Sequence, residues 1–108
     1  RPVVSVSSDG GFGQYMAEFT TAVKYGMDIT HILFNDDELA KISKEQRTGG
    51  WPVWQTSLAN PEFASFAENC GGHGVRVTER GELAPALSEA LATDGPALVE
   101  IITDSDPV

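Results

Sequence analysis

The strongest constraint on this chain is an alternation of two periodicities. Short β-branched runs are separated by stretches whose apolar residues recur every three to four positions. Residues 29–34 (Ile-Thr-His-Ile-Leu-Phe) form a nearly continuous β-forming run, the pattern of a strand covered on both faces. Residues 2–7 and 97–102 read as two further strands, and 74–77 as a very short one. Phe12, Tyr15, Met16, Phe19 and Val23 fall on one stripe and predict a single amphipathic helix closed by Gly26. Asp36, Asp37 and Glu38 precede Lys41, Lys44 and Arg47, a charge order that predicts a short helix over 37–46. For a third helix Asn60 is the expected N-cap, with Pro61 at the first position and Phe63, Phe66, Ala67 and Cys70 facing inward. Leu83, Leu87, Ala90 and Leu91 mark a fourth, with Pro85 in its first turn. Residues 47–58 carry Gly49-Gly50, Pro52, Trp51 and Trp54, and are expected to loop their aromatics back onto the body. Strands alternating with helices predict an α/β fold, a three-layer sandwich with a mostly parallel sheet flanked by helices. Such sheets bind ligands at the carboxyl ends of their strands.

Composition narrows the function. The 108 residues suit one domain, 1–108. Sixteen acids against seven bases give a net charge of −9, which argues against nucleic acid and anionic membranes as partners. A single cysteine, Cys70, rules out an internal disulfide and a multi-cysteine zinc site; it suits a reducing compartment, and a cytoplasmic location is expected. No apolar run reaches the ~18 residues a membrane span needs. Arg1 leads straight into a strand-like run, so no signal peptide is expected. His31 reads as a packed mid-strand residue, His73 as solvent-facing, and Cys70 as a core thiol. No catalytic residue is assigned.

Two acidic junctions carry the chemistry. Ser8-Asp9-Gly10-Gly11 and Asn35-Asp36-Asp37 each follow a predicted strand and precede a predicted helix. Taken singly, an Asp-Gly after a strand is an ordinary turn, and first-turn acids are an ordinary helix start. If the two strands are neighbours, Asp9 faces Asn35 and Asp36 across the binding edge. Oxygen side chains there, beside helix N–H groups, suit a hard cation such as Mg²⁺ and a phosphate.

Ser8-Asp9-Gly10 followed by Asn35-Asp36 resembles the thiamine-diphosphate motif, Gly-Asp-Gly and then Asn-Asn. The likeness extends through Phe12, Glu18, Thr20, Tyr25-Gly26, Leu39, residues 63–72, Gly74-Val75-Arg76-Val77 and Gly95-Pro96-Ala97-Leu98-Val99. Over nearly its whole length the chain is similar to the C-terminal cofactor domain of the pyruvate oxidase and acetolactate synthase family. The resemblance implies a thiamine-diphosphate-binding fold, N-terminally incomplete, and thiamine diphosphate with Mg²⁺ as cofactors. It implies Asp9, Asp36 and the Glu38 backbone carbonyl as metal ligands. Ser8, Asp9, Gly10, Gly11, Phe12, Asn35 and Asp36 are implied as cofactor-binding residues. Ile42 and Glu45 would border a 2-keto-acid substrate; Ile42 as helix core and Glu45 paired with Lys41 are the ordinary alternatives.

Two positions depart from the motif. Ser8 replaces Gly, which restricts the strand end. Asp36 replaces Asn, which keeps an oxygen ligand but adds a negative charge beside an anionic diphosphate. Mg²⁺ binding is expected to persist and diphosphate affinity to fall, unless Asn35 substitutes. In the family, the glutamate that activates the aminopyrimidine comes from another domain, and the apolar residue that bends the cofactor lies upstream of the motif. Both are expected to lie outside these residues, so the chain reads as a fragment of a larger enzyme, inactive alone and self-associating through an apolar patch. The alternative is a non-catalytic remnant or stand-alone α/β binding or interaction module with a drifted motif.

Overall fold

The computed structural model describes residues 1–105. Four strands, β1 (Val3–Ser8), β2 (Ile29–Asn35), β3 (His73–Val77) and β4 (Ala97–Ile102), form one sheet in the order β1-β2-β4-β3. Every pairing is parallel. Five helices connect and flank them: α1 (Asp9–Gly13), α2 (Phe19–Lys24), α3 (Ala40–Thr48), α4 (Phe63–Asn69) and α5 (Leu83–Ala92). The expected α/β sandwich is therefore present, with a wholly parallel sheet.

Strand alternation divides the core into two layers. On one face Leu33 and Leu98 pack with Phe12 and Phe19 from the α1–α2 segment and with Phe63 and Ala67 from α4. On the other, Val77, Ala97 and Val99 pack under Ala86 and Ala90 of α5. The small residues of α5 let it lie close to β3 and β4. It does not reach β1. Val4, Val6 and Phe34 share that face by register and remain 51%, 63% and 42% exposed.

Five local expectations are corrected. The stripe from Phe12 to Val23 is not one helix but α1, a 3₁₀ turn at Met16–Glu18, and α2. Three glycines lie within the five residues of α1 and lower its helix propensity, and Tyr15 leaves the helical region at φ −129°, ψ 17°. Phe12 and Phe19 still point inward, whereas Tyr15 is 72% exposed. α3 begins at Ala40 rather than near Asp37, because Asp37 is left-handed at φ 57° and cannot continue a helix. α4 begins at Phe63 with Glu62, not Asn60, as its flanking residue; the Asn60 side chain is engaged elsewhere. Trp51 and Trp54 stay 71% and 70% exposed rather than folding back. Their segment is tied down by backbone instead: the Gln46 side chain bonds both the N–H and the carbonyl of Trp54 at 3.2 Å. His73 is half-buried, 3.8 Å from Glu89, and not simply solvent-facing.

Candidate functional site

β1 and β2 run side by side with Ser8 opposite Phe34, so Asp9 and Asn35 emerge together at the carboxyl edge. The juxtaposition expected from the two acidic junctions is thus real. Asp9 is 1% exposed. Its Oδ2 accepts a hydrogen bond from Asn60 Nδ2 at 2.7 Å, while its Oδ1 is buried without a hydrogen-bond partner. A bare carboxylate oxygen out of water is costly unless a cation or donor meets it.

Asn35 is held from both ends. Its Nδ2 donates to Glu100 Oε2 at 2.7 Å, and its Oδ1 accepts from the Asp37 N–H at 3.1 Å and from Asn60 Nδ2 at 3.1 Å. Asn60 Nδ2 also lies 3.0 Å from Asp37 Oδ1. Asp36 turns its Oδ1 back onto the Glu38 N–H at 3.2 Å. Partial burial pushes the Asp36 carboxyl above the ordinary aspartate range; the Glu38 N–H opposes that shift, and the neighbouring Asp9 adds to it. Two carboxyls so placed favour a positive partner between them.

The left-handed turn at Asp37 has a structural partner. The Leu58 N–H donates to the Asp37 carbonyl at 2.8 Å and the Leu39 N–H to the Thr56 carbonyl at 2.7 Å, an antiparallel bridge at Glu38 and Ser57. Buried Ser43 of α3 donates to Thr56 Oγ1 at 2.8 Å and locks the loop to the helix. Leu39 then covers Gly10, where a Cβ would stand 3.0 Å from Leu39 Cδ2. A cavity of about 360 Å³ opens beside these groups, lined by Ser8, Asp9, Gly10, Asp36, Glu38 and Ile42 among others.

Ser8, Asp9, Gly10, Asp36, Glu38 and Ile42 thus meet around one cavity, with Gly11 and Asn35 adjacent. Ile42 is 46% exposed and faces this space rather than a core. Glu45 lines a separate hollow with Lys44 and Thr48, joined to the first only through Lys41. The Phe12 side chain is committed to the core, edge-on to Phe63 and His31 at 5.6 Å, which leaves its backbone for any ligand. A larger, mostly apolar cavity of about 450 Å³ lies away from the acids, between β1 and α2.

The donor set suits Mg²⁺. This ion takes one or two carboxylates and leaves its other positions to phosphate oxygens and water, and the unpartnered Asp9 oxygen beside Asp36 offers that arrangement. Among the described residues no three His, Cys, Asp or Glu side chains group to hold a metal by themselves. A cation here would depend on its anionic companion to complete its shell. No helix of the described residues is long and apolar enough to cross a membrane.

Sequence reasoning missed two residues. Asn60 has the sequence signature of a helix cap, and no pattern signals its reach to Asp9. Glu100 is fully buried in β4; a charged residue inside the otherwise apolar strand run 97–102 is a usable signal.

Comparison with known proteins agrees with this geometry. Residues 1–101 match the family model described as "Thiamine pyrophosphate enzyme, C-terminal TPP binding domain". A Bacillus subtilis protein provisionally named as thiamine pyrophosphate-containing, YdaP, is 41% identical over 107 residues, 99% of this chain and 19% of its own length. The catabolic acetolactate synthase of Raoultella terrigena is 35% identical over 96% of the chain, again 19% of the relative. The chain spans about a fifth of the length of these relatives. Benzoylformate decarboxylase from Polynucleobacter necessarius superposes with a TM-score of 0.90 at 21% identity, over the whole chain and 20% of that structure, and shares the fold. The chain belongs to the thiamine pyrophosphate enzymes, as a C-terminal TPP-binding domain.

Proposed function

We propose that this domain holds Mg²⁺ and the diphosphate of thiamine diphosphate within a 2-keto-acid decarboxylating or carboligating enzyme of the pyruvate oxidase or acetolactate synthase type. One observation carries the reading: the buried, unpartnered Asp9 Oδ1 beside the Asp36 carboxyl. Asp9 and Asp36 would bind the cation by side chain and Glu38 by its backbone carbonyl. Ser8, Gly10, Gly11, the Phe12 backbone and Asn35 would lie against the diphosphate. Lys41 at the cavity wall supplies a positive charge that favours an anionic ligand. Ile42 is the substrate-side residue that the geometry supports; Glu45, in the adjoining hollow, is a more distant one. The bound cofactor would supply an electron sink for the carbanion left by decarboxylation.

What this chain contributes is placement. The parallel register of β1 and β2 fixes Asp9 against Asn35, and the Asp37–Leu58 and Leu39–Thr56 hydrogen bonds close the turn over Gly10. The relatives carry roughly four-fifths of their length beyond this match. That supports turnover requiring further parts, including a pyrimidine domain in the same or another chain. The bare apolar flank at Val4, Val6 and Phe34 supports association with a second copy or with such a domain.

Isothermal titration calorimetry of thiamine diphosphate, with Mg²⁺ and with EDTA, tests the reading. Saturable binding with Mg²⁺ that disappears with EDTA and in Asp9→Asn is expected. No binding in either condition would favour a domain with a drifted motif, to which the Ser8 and Asp36 departures point.

A further inference from the structure

The hydrogen bonds at the carboxyl edge form a directed chain that begins at a residue outside the cation site. Glu100 is 0% exposed in β4, with Oε1 accepting from the Ala64 N–H at 3.1 Å and Oε2 accepting from Asn35 Nδ2 at 2.7 Å. The Asn35 amide thus presents its NH₂ to Glu100 and its oxygen to the other side. That oxygen accepts from the Asp37 N–H at 3.1 Å and from Asn60 Nδ2 at 3.1 Å, and the same Asn60 nitrogen lies 2.7 Å from Asp9 Oδ2 and 3.0 Å from Asp37 Oδ1. With Oδ2 engaged in this way, Oδ1 is the oxygen left without a partner.

We propose that Glu100 and Asn60 are positioning residues: through Asn35 they fix the Asp9 carboxylate so that Oδ1 alone faces the cation. The inference rests on the Mg²⁺ reading above for its consequence, but its geometry stands apart from it. Glu100 acts at the far end of the chain, from the strand beyond β2, and ties α4 through Ala64 to the same network. Replacing Glu100 by Gln would set a second NH₂ against one of its two donors. The Asn35 amide could then turn over, giving up its bond from the Asp37 N–H, and the acceptor facing Asn60 would be lost. Outer-shell partners of this kind change metal affinity by about 10- to 100-fold when removed.

The test uses the ¹⁵N-labelled chain. Side-chain amide resonances of Asn35 and Asn60 are recorded in wild type, Glu100→Gln and Asn60→Ala, and Mg²⁺ is titrated into each with thiamine diphosphate present. Methyl resonances of Leu33 and Leu98 report whether the core is intact. In Glu100→Gln the Asn60 amide pair is expected to move toward its solvent-exposed position although Asn60 does not touch Glu100. Asn60→Ala, at a half-buried position, is expected to keep the core methyls in place and to weaken Mg²⁺ about 10-fold or more. An unmoved Asn60 amide in Glu100→Gln, or Asn60→Ala binding Mg²⁺ as tightly as wild type, overturns the relay. If wild type binds no Mg²⁺ while the Asn60 amide still follows Glu100, the relay holds and the cation reading fails.

Discussion

Gly74→Ala is the substitution whose cost the structure specifies most closely. Gly74 is buried in β3, and a Cβ built there would stand 2.0 Å from the Ala64 carbonyl oxygen and 2.8 Å from its carbon, where ordinary contact begins at 3.4 Å. The obstructing atoms are backbone, so no rotamer can relieve the clash. α4 must retreat by more than an ångström. That movement loosens Phe63 and Ala67, both 0% exposed, and pulls the Ala64 N–H from Glu100 Oε1. Overpacking costs about 1–3 kcal/mol, and a buried acceptor losing its donor costs about 1–3 kcal/mol, so about 2–6 kcal/mol is expected. A small domain has only about 5–15 kcal/mol in all. Urea unfolding followed by far-ultraviolet circular dichroism is the suitable assay, because Trp51 and Trp54 are too exposed to report on the core. With a denaturant dependence of roughly 1–2 kcal/mol per molar, the midpoint should fall by at least about 1 M. Gly13→Ala is the control: its Cβ meets nothing within 4 Å, and stability should hold or rise slightly. A Gly74→Ala midpoint indistinguishable from wild type would show that α4 does not rest directly on β3.

Asp36→Asn removes one of the two carboxylates at the proposed cation site; calorimetry should show Mg²⁺-thiamine diphosphate binding tightened about fivefold, on the order of 1 kcal/mol, and equal affinities would contradict the charge argument. Burial against Phe12 and Phe19 lowers the His31 pKa from 6.5, so the unfolded chain takes up its proton first. The His31 contribution to stability is then fully present above pH 6.5 and is lost as pH falls below it; His31→Leu should flatten the slope of melting temperature between pH 7.5 and 5 relative to wild type. Sedimentation equilibrium at high micromolar concentration should show self-association, shifted to monomer by Val6→Lys on the bare sheet face. A monomeric wild type would count against that face as a contact. Burial also raises the Cys70 thiol pKa, so its alkylation at pH 7 should run slower than that of a free cysteine.

Much of the fold was legible because β-branched runs and amphipathic stripes record burial. The sequence leaves open whether β1 and β2 are neighbours; their parallel pairing in the fold brings Asp9 to Asn35. What could not be read depends on contacts between distant segments. Asn60 looks like a cap because Asn before Pro commonly is one; only the fold brings it beside Asp9, fifty-one residues away in sequence. Likewise the acids 36–38 look like a helix start, yet pairing with residues 56–58 holds Asp37 left-handed and delays α3 to Ala40. Trp51 and Trp54 were expected inward on hydrophobicity, but hydrogen bonds from Gln46 satisfy their segment without burying the rings.

The proposed site holds a divalent cation between Asp9 and Asp36 that carries a diphosphate. Crystals grown with Mn²⁺ in place of Mg²⁺, together with thiamine diphosphate, would locate the ion by its anomalous signal. Both ions favour oxygen ligands, so the site should be shared. One peak is expected within bonding distance of Asp9 Oδ1, an Asp36 carboxylate oxygen and the Glu38 carbonyl, with diphosphate oxygens completing the shell. A peak elsewhere on the acidic surface, or diphosphate bound without a metal at Asp9, would contradict it.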